Sequence, residues 1–193
     1  MDTSVPLHLQ QRKFVSNGML AMIFFLAAEI MFFAGLISAY IVNRSVADGM
    51  PSIQQPRLPV EITAVNTLLL IISFATLLIF SKKFKSANSS RLFLLLTIFL
   101  GLIFLSVQGN EWVKLLRFGF STHTSIYGAF FYTLIGAHAA HVMIGLILLL
   151  YLFLKLQKST SFDNAKNKIA VCSLYWYFVV GIWPVLYVLV YLN

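Results

Sequence analysis

The chain has 193 residues, of which 60% are hydrophobic, 15% aromatic and only 10% charged. Soluble domains carry about a quarter charged residues, so this composition excludes a water-soluble globule and indicates an integral membrane protein. The formal charge of +8 would suggest nucleic acid in a soluble protein; here basic loops on one side of a membrane account for it.

Residues 1–17 are polar, with Arg12 and Lys13 just before the first apolar run. That run, residues 18–43, reads GMLAMIFFLAAEIMFFAGLISAYIVN. It is too long for the apolar core of a signal peptide and carries an acid, so it reads as a retained helix. About 25 residues rising about 1.5 Å each cross a hydrocarbon core of roughly 30 Å with some tilt. Glu29 falls near the middle. A carboxylate exposed to lipid there costs about 2.5 kcal/mol or more, so the group is expected to face protein or trapped water and to favour its neutral form. Two readings follow. One is a neutral acid hydrogen-bonded to a neighbouring helix for packing. The other, which an acid at the bilayer midplane favours by default, is a residue tied to proton movement, lipid binding or assembly.

Residues 44–59 form a loop in which Gly49, Pro51, Pro56 and Pro59 stop helix propagation. The second span, 60–80, carries Asn66 and Thr67, read as hydrogen-bonding glue between helices, and leads into a basic turn with Lys82, Lys83 and Lys85. The third, 91–112, is interrupted by Gly101 and ends in Gln108-Gly109-Asn110-Glu111. Trp112 suits an interfacial aromatic belt, and Glu111 is expected to be a solvated or snorkelling interfacial acid.

A loop over 113–125 precedes the fourth span, 126–154, which contains Gly136-Ala137-His138-Ala139-Ala140-His141. Residues three apart share a helix face, so the two histidines are expected to point roughly the same way, at about the depth of Glu29. The small residues around them would let another helix approach closely. A metal site of two His and Glu29 is one explanation, but His8 and His123 lie outside the spans and ligands are few. A buried hydrogen-bonding pair, facing a partner subunit, is the preferred one. The fifth span, 169–192, holds the single cysteine, Cys172, expected to be a packed thiol. Pro184 removes the bond to the Val180 carbonyl and predicts a kink. No internal repeat is visible.

The reading is thus all-α: a polar tail, residues 1–17, and one bundle of five transmembrane helices over 18–193. With five spans, ten Lys and Arg fall on the N-terminal side and four (Arg44, Arg57, Lys114 and Arg117) on the other. That bias puts the N-terminus in the cytoplasm and the C-terminus outside.

Taken in order, these residues resemble subunit III of the haem–copper terminal oxidases. Glu29-Ile30-Met31-Phe32-Phe33 is similar to the family's acid-plus-aromatic helix, and Asn66-Thr67 to the Asn-Thr of the next. Gln108-Gly109-Asn110-Glu111-Trp112 resembles the Gln-x-x-Glu-aromatic stretch. Tyr127-Gly128 and Gly136-x-His138-x-x-His141-Val142-x-x-Gly145 match the strongest signature. Tyr175-Trp176-Tyr177-Phe178, with Trp183 and Tyr187, resembles the closing helix, although Tyr177 stands where the family usually has His and Val180 where it often has Asp.

The resemblance implies the short, five-helix bacterial form, in the inner membrane, as a non-catalytic subunit of a proton-pumping oxidase that reduces oxygen to water. Haem and copper would belong to subunits I and II, with subunit I in direct contact. This chain would bind phospholipid and no redox centre or nucleic acid, and would help maintain proton uptake. Glu29 would be the family's carbodiimide-reactive acid, and its being Glu rather than Asp favours cytochrome c over quinol as electron donor. A small proton-coupled transporter or membrane scaffold would explain Glu29 and the histidines, but not the ordered match across five spans.

Overall fold

The computed structural model describes residues 16–46, 60–83, 89–117, 126–158 and 162–192. Arg12, Lys13, His8, His123, Gly49, Arg57, Lys85 and the loop prolines Pro51, Pro56 and Pro59 lie outside these residues. Within them run five α-helices: α1 (Asn17–Val46), α2 (Val60–Lys83), α3 (Ser89–Arg117), α4 (Ile126–Lys158) and α5 (Phe162–Tyr187), which passes into a π-helical turn, Val188–Leu192. All five are long and apolar enough to cross a membrane, and the described residues contain no strand. The chain is an all-α, multi-pass membrane protein.

Several helices outrun their apolar stretches: α2 reaches Lys83, α3 runs from Ser89 to Arg117, and α5 starts at Phe162. Apolar runs mark only the hydrocarbon layer, whereas intrahelical hydrogen bonds continue into the interface. Lys82 and Lys83 in the last turn of α2, and Lys114 and Arg117 in that of α3, complement the negative ends of those helices. At the start of α1, Ser16 is the cap: its Oγ accepts from the Met19 N–H at 3.2 Å and its carbonyl from Leu20 at 3.0 Å. Pro184 does not end α5; the helix continues to Tyr187 and its winding then widens to the π turn.

Helices α2, α3, α4 and α5 pack each on the next and α5 closes back on α2, while α1 lies outside, against α4 and α5. The consequence is visible in burial: 11% of the α1 span is buried within the chain, against 33–44% of the other four. Phe24, Ile30 and Met31 of α1 all face outward.

Trp176 of α5 sits at the centre of the four-helix ring. A Cβ on Gly145 of α4 would lie 2.7 Å from its Cε3, and one on Gly101 of α3 would lie 2.8 Å from its Cη2. The indole therefore occupies the space that side chains would need at two glycines on two other helices, while its N–H donates to Ser73 Oγ of α2 at 3.3 Å. One side chain thus touches all four core helices. At Gly136 the neighbour is Trp112 of α3, at ordinary contact distance, and Ala140 is exposed within the chain. We predict that Gly145→Ala, which forces this rigid ring to move, lowers the stability of the solubilised protein by about 1–3 kcal/mol. Its thermal midpoint should fall measurably, whereas Gly35→Ala, with open space around it, should leave the midpoint unchanged.

Candidate functional site

The polar residues of the spans are distributed by helix geometry. On α2, Thr63, Asn66, Thr67, Leu70, Ser73, Thr76 and Leu77 are buried at three- and four-residue spacing, one face of the helix. Three hydroxyls on that face first bond within their own helix: Thr67 to the Thr63 carbonyl at 2.7 Å, Ser73 to that of Leu70 at 2.6 Å and Thr76 to that of Ser73 at 2.8 Å. The face then reaches across. Asn66 Nδ2 donates to the Phe104 carbonyl of α3 at 3.1 Å, Trp183 Nε1 of α5 donates to Thr67 Oγ1 at 2.8 Å, and Thr76 and Thr97 pair at 2.8 Å. Asn66 and Thr67 thus join helices as their sequence suggested. Thr76–Thr97 and Ser73–Trp176 were missed, although the polar stripe through an apolar helix was there to be read.

His138 and His141 do not point the same way. Three residues along a helix leave an offset of about 60°, enough here to send the two rings into different grooves. His138 is 1% exposed, stacked on Trp183 with centroids 4.8 Å apart and edge-on to Phe104 at 6.2 Å. His141 instead faces α1, where its Nε2 lies 2.9 Å from Glu29 Oε2. The histidines therefore do not form a joint ligand pair, and no cluster of three His, Cys, Asp or Glu able to hold a metal exists among the described residues. Tyr177 builds a polar contact of its own, its hydroxyl 3.4 Å from Ser81 Oγ, which also lies 3.2 Å from Ser173 Oγ.

The Glu29–His141 contact defines its own proton content. His141 Nδ1 lies 2.7 Å from the Ala137 carbonyl, which can only accept, so Nδ1 carries a hydrogen. Nε2 and the carboxyl then meet either as imidazole accepting from a protonated acid or as imidazolium donating to a carboxylate. Both forms are neutral overall and hold one proton between the two atoms. Interhelical hydrogen bonds in membranes contribute about 0.6 kcal/mol on average and up to about 1.7. This one links the least buried helix to the core.

The surroundings are aromatic. Phe33 stands edge-on to the His141 ring at 5.1 Å and Phe32 lies at 6.2 Å. Tyr175 of α5 donates to the His141 carbonyl at 3.3 Å and stacks on Phe25 at 6.3 Å. The side chains of His141 and Glu29 remain 13% and 18% exposed, so the pair is reachable from the membrane.

Glu111 is not the open interfacial acid expected. It is 7% exposed, on the inward face of α3 with Gln108, and its charge is met by Lys114 Nζ at 2.7 Å, whose side chain reaches outward. Gln108 donates to Tyr191 OH at 2.9 Å. Trp112, expected in an interfacial belt, turns into the α3–α4 groove, its indole N–H buried and its ring edge-on to Tyr132 at 6.2 Å. Cys172 is buried, as expected of a packed thiol.

The model of the cytochrome c oxidase subunit III family matches residues 5–193. The chain is 35% identical to cytochrome c oxidase subunit 3 of Corynebacterium diphtheriae, over 88% of this chain and 84% of that one. It is 32% identical to the subunit of that name from Alkalihalophilus pseudofirmus, over 100% of this chain and 96% of that one. Quinol oxidase subunit 3 of Bacillus spizizenii is 30% identical, over 87% and 83%.

An apolar carbodiimide adds to a carboxyl together with its proton, and among Glu29, Glu61 and Glu111 it is Glu29 that combines a proton shared with its partner, apolar walls and partial exposure. Glu61 is exposed in the first turn of α2 and Glu111 is ion-paired. Mass mapping after labelling in membranes is expected to find Glu29 modified and Glu61 and Glu111 spared, with the signal gone in Glu29→Gln. Labelling spread evenly over these three glutamates would contradict the geometry.

Proposed function

Because the chain belongs to the cytochrome c oxidase subunit III family, we propose that it is the non-catalytic third subunit of a proton-pumping haem–copper terminal oxidase. In this reading the complex lies in a bacterial inner membrane, takes electrons from cytochrome c or a similar donor, and reduces oxygen to water. The haems and copper sit in subunits I and II. The observation that supports the division of labour is the divergence of His138 and His141: each ring lies in a separate protein environment, and the described residues bring no three potential ligands together.

The chain's own contribution is mechanical and protonic. The four-helix ring supplies a rigid wall, and α1, with most of its surface uncovered by the chain itself, offers apolar area to subunit I and to bound phospholipid. The Glu29–His141 pair keeps one proton at membrane depth without net charge, which suits a role in sustaining proton uptake. The ten basic residues on the N-terminal side support a cytoplasmic N-terminus. The relation to a quinol oxidase subunit supports quinol as the second choice of donor. A transporter or scaffold does not explain a match that runs over residues 5–193.

Purification from native membranes in mild detergent is expected to bring down a haem-containing oxidase with the chain. In the same complex, Glu29→Gln preserves size and hydrogen bonding but removes the titration. It should assemble normally, yet lose activity sooner during sustained turnover or pump protons less well. A chain that purifies alone, with undisturbed oxidase activity in a deletion strain, would overturn the reading; an assembled Gln variant indistinguishable from wild type would reduce Glu29 to packing.

A further inference from the structure

The second histidine has a different environment from the first. Among the described residues neither ring nitrogen of His138 has a hydrogen-bond partner, and both atoms are buried. A neutral imidazole carries one N–H donor and one lone pair, and an apolar interior leaves both unanswered. Asn66, also 1% exposed, has the complementary gap. Its Nδ2 is committed to the Phe104 carbonyl, and a carbonyl can only accept, so the amide cannot be turned round. The atom left without a partner is therefore the acceptor Oδ1.

These gaps share their neighbours. Phe104 of α3 takes the Asn66 amide on its carbonyl and sets its ring edge-on to His138. Trp183 of α5 stacks on His138 and donates to Thr67, the residue next to Asn66. Phe104 and Trp183 are themselves in edge contact at 5.0 Å, and neither ring can supply what His138 and Asn66 lack. Trp112 Nε1 is also unpartnered, and its ring packs beside Gly136 and Tyr132.

We infer that α2, α3, α4 and α5 enclose a small internal water site, in which one ordered water bridges Asn66 Oδ1 and a ring nitrogen of His138. A buried water is held where two or more polar atoms otherwise go unmet, and here a fixed acceptor and an imidazole supply them. Thr67 Oγ1, which already donates to Thr63 and accepts from Trp183, retains a lone pair that can steady the same water. Because the ring nitrogens point apart, the second calls for a further water in the same site. This site is separate from the Glu29–His141 pair and does not depend on the proposed role in an oxidase.

The test is a structure of the complete complex at a resolution that shows waters. Density within hydrogen-bond distance of both Asn66 Oδ1 and a His138 nitrogen is expected. A direct Asn66–His138 bond, a dry contact, or a peak about 2 Å from the ring nitrogen, as a bound metal would give, would each overturn the inference. Thermal midpoints give an independent check, since Asn66→Leu and His138→Phe remove the polar atoms with little change of shape. Each should lower the midpoint of the complex, and the double variant should fall by less than the sum, because no stranded partner remains. Strictly additive losses would count against a bridge.

Discussion

The contact between Glu29 and His141 is the constraint that the outer part of the structure depends on. A lone carboxylate at membrane depth costs about 2.5–3.5 kcal/mol, and α1 has little burial within the chain to offset that. The 2.9 Å bond to Nε2, with the Ala137 carbonyl fixing the opposite nitrogen, removes the net charge and ties α1 to α4 at the same point. Removing either partner would strand the other among Phe32, Phe33 and lipid. Packing and protonation are thus set by one pair of side chains, and the two readings of Glu29 offered by the sequence are not exclusive.

For that bond to have a defined geometry, α4 must not move. Its position is set from inside the ring: Trp176 fills the ground left by Gly101 and Gly145, and the hydroxyl stripe of α2 links α3 and α5. In lipid there is no hydrophobic drive between helices, so close packing and interhelical hydrogen bonds carry association. The chain uses both, with aromatic rings set against glycines and hydroxyls bonding across the grooves. The outward apolar side chains of α1 are left for lipid or a partner subunit.

Fold was more legible than site, for physical reasons. Span number and the prominence of Glu29 came from hydropathy, because a membrane forces long apolar helices and makes a midplane acid conspicuous. Helix ends were misjudged where Lys83, Arg117 and Phe162 extend regular winding beyond the hydrocarbon layer. The histidines were misassigned to one direction because three-residue spacing fixes a sector of about 60°, not a groove, and the neighbours decide which groove each ring enters. Glu111 was placed in a solvated interface by its distance along α3, yet the face it occupies turns inward. Partner choice across helices, such as Glu29 with His141 over 112 residues of sequence, has no local signal at all.

The central claim is that His141 holds a hydrogen on Nδ1 and shares a single proton with Glu29 through Nε2. Nitrogen NMR of the complex with isotope-labelled histidine reads both atoms directly. The account predicts a protonated Nδ1 bonded to a carbonyl, and an Nε2 resonance that moves when Glu29→Gln replaces the acid. A neutral ring with its hydrogen on Nε2 and a bare Nδ1, or an Nε2 signal indifferent to that substitution, would contradict it.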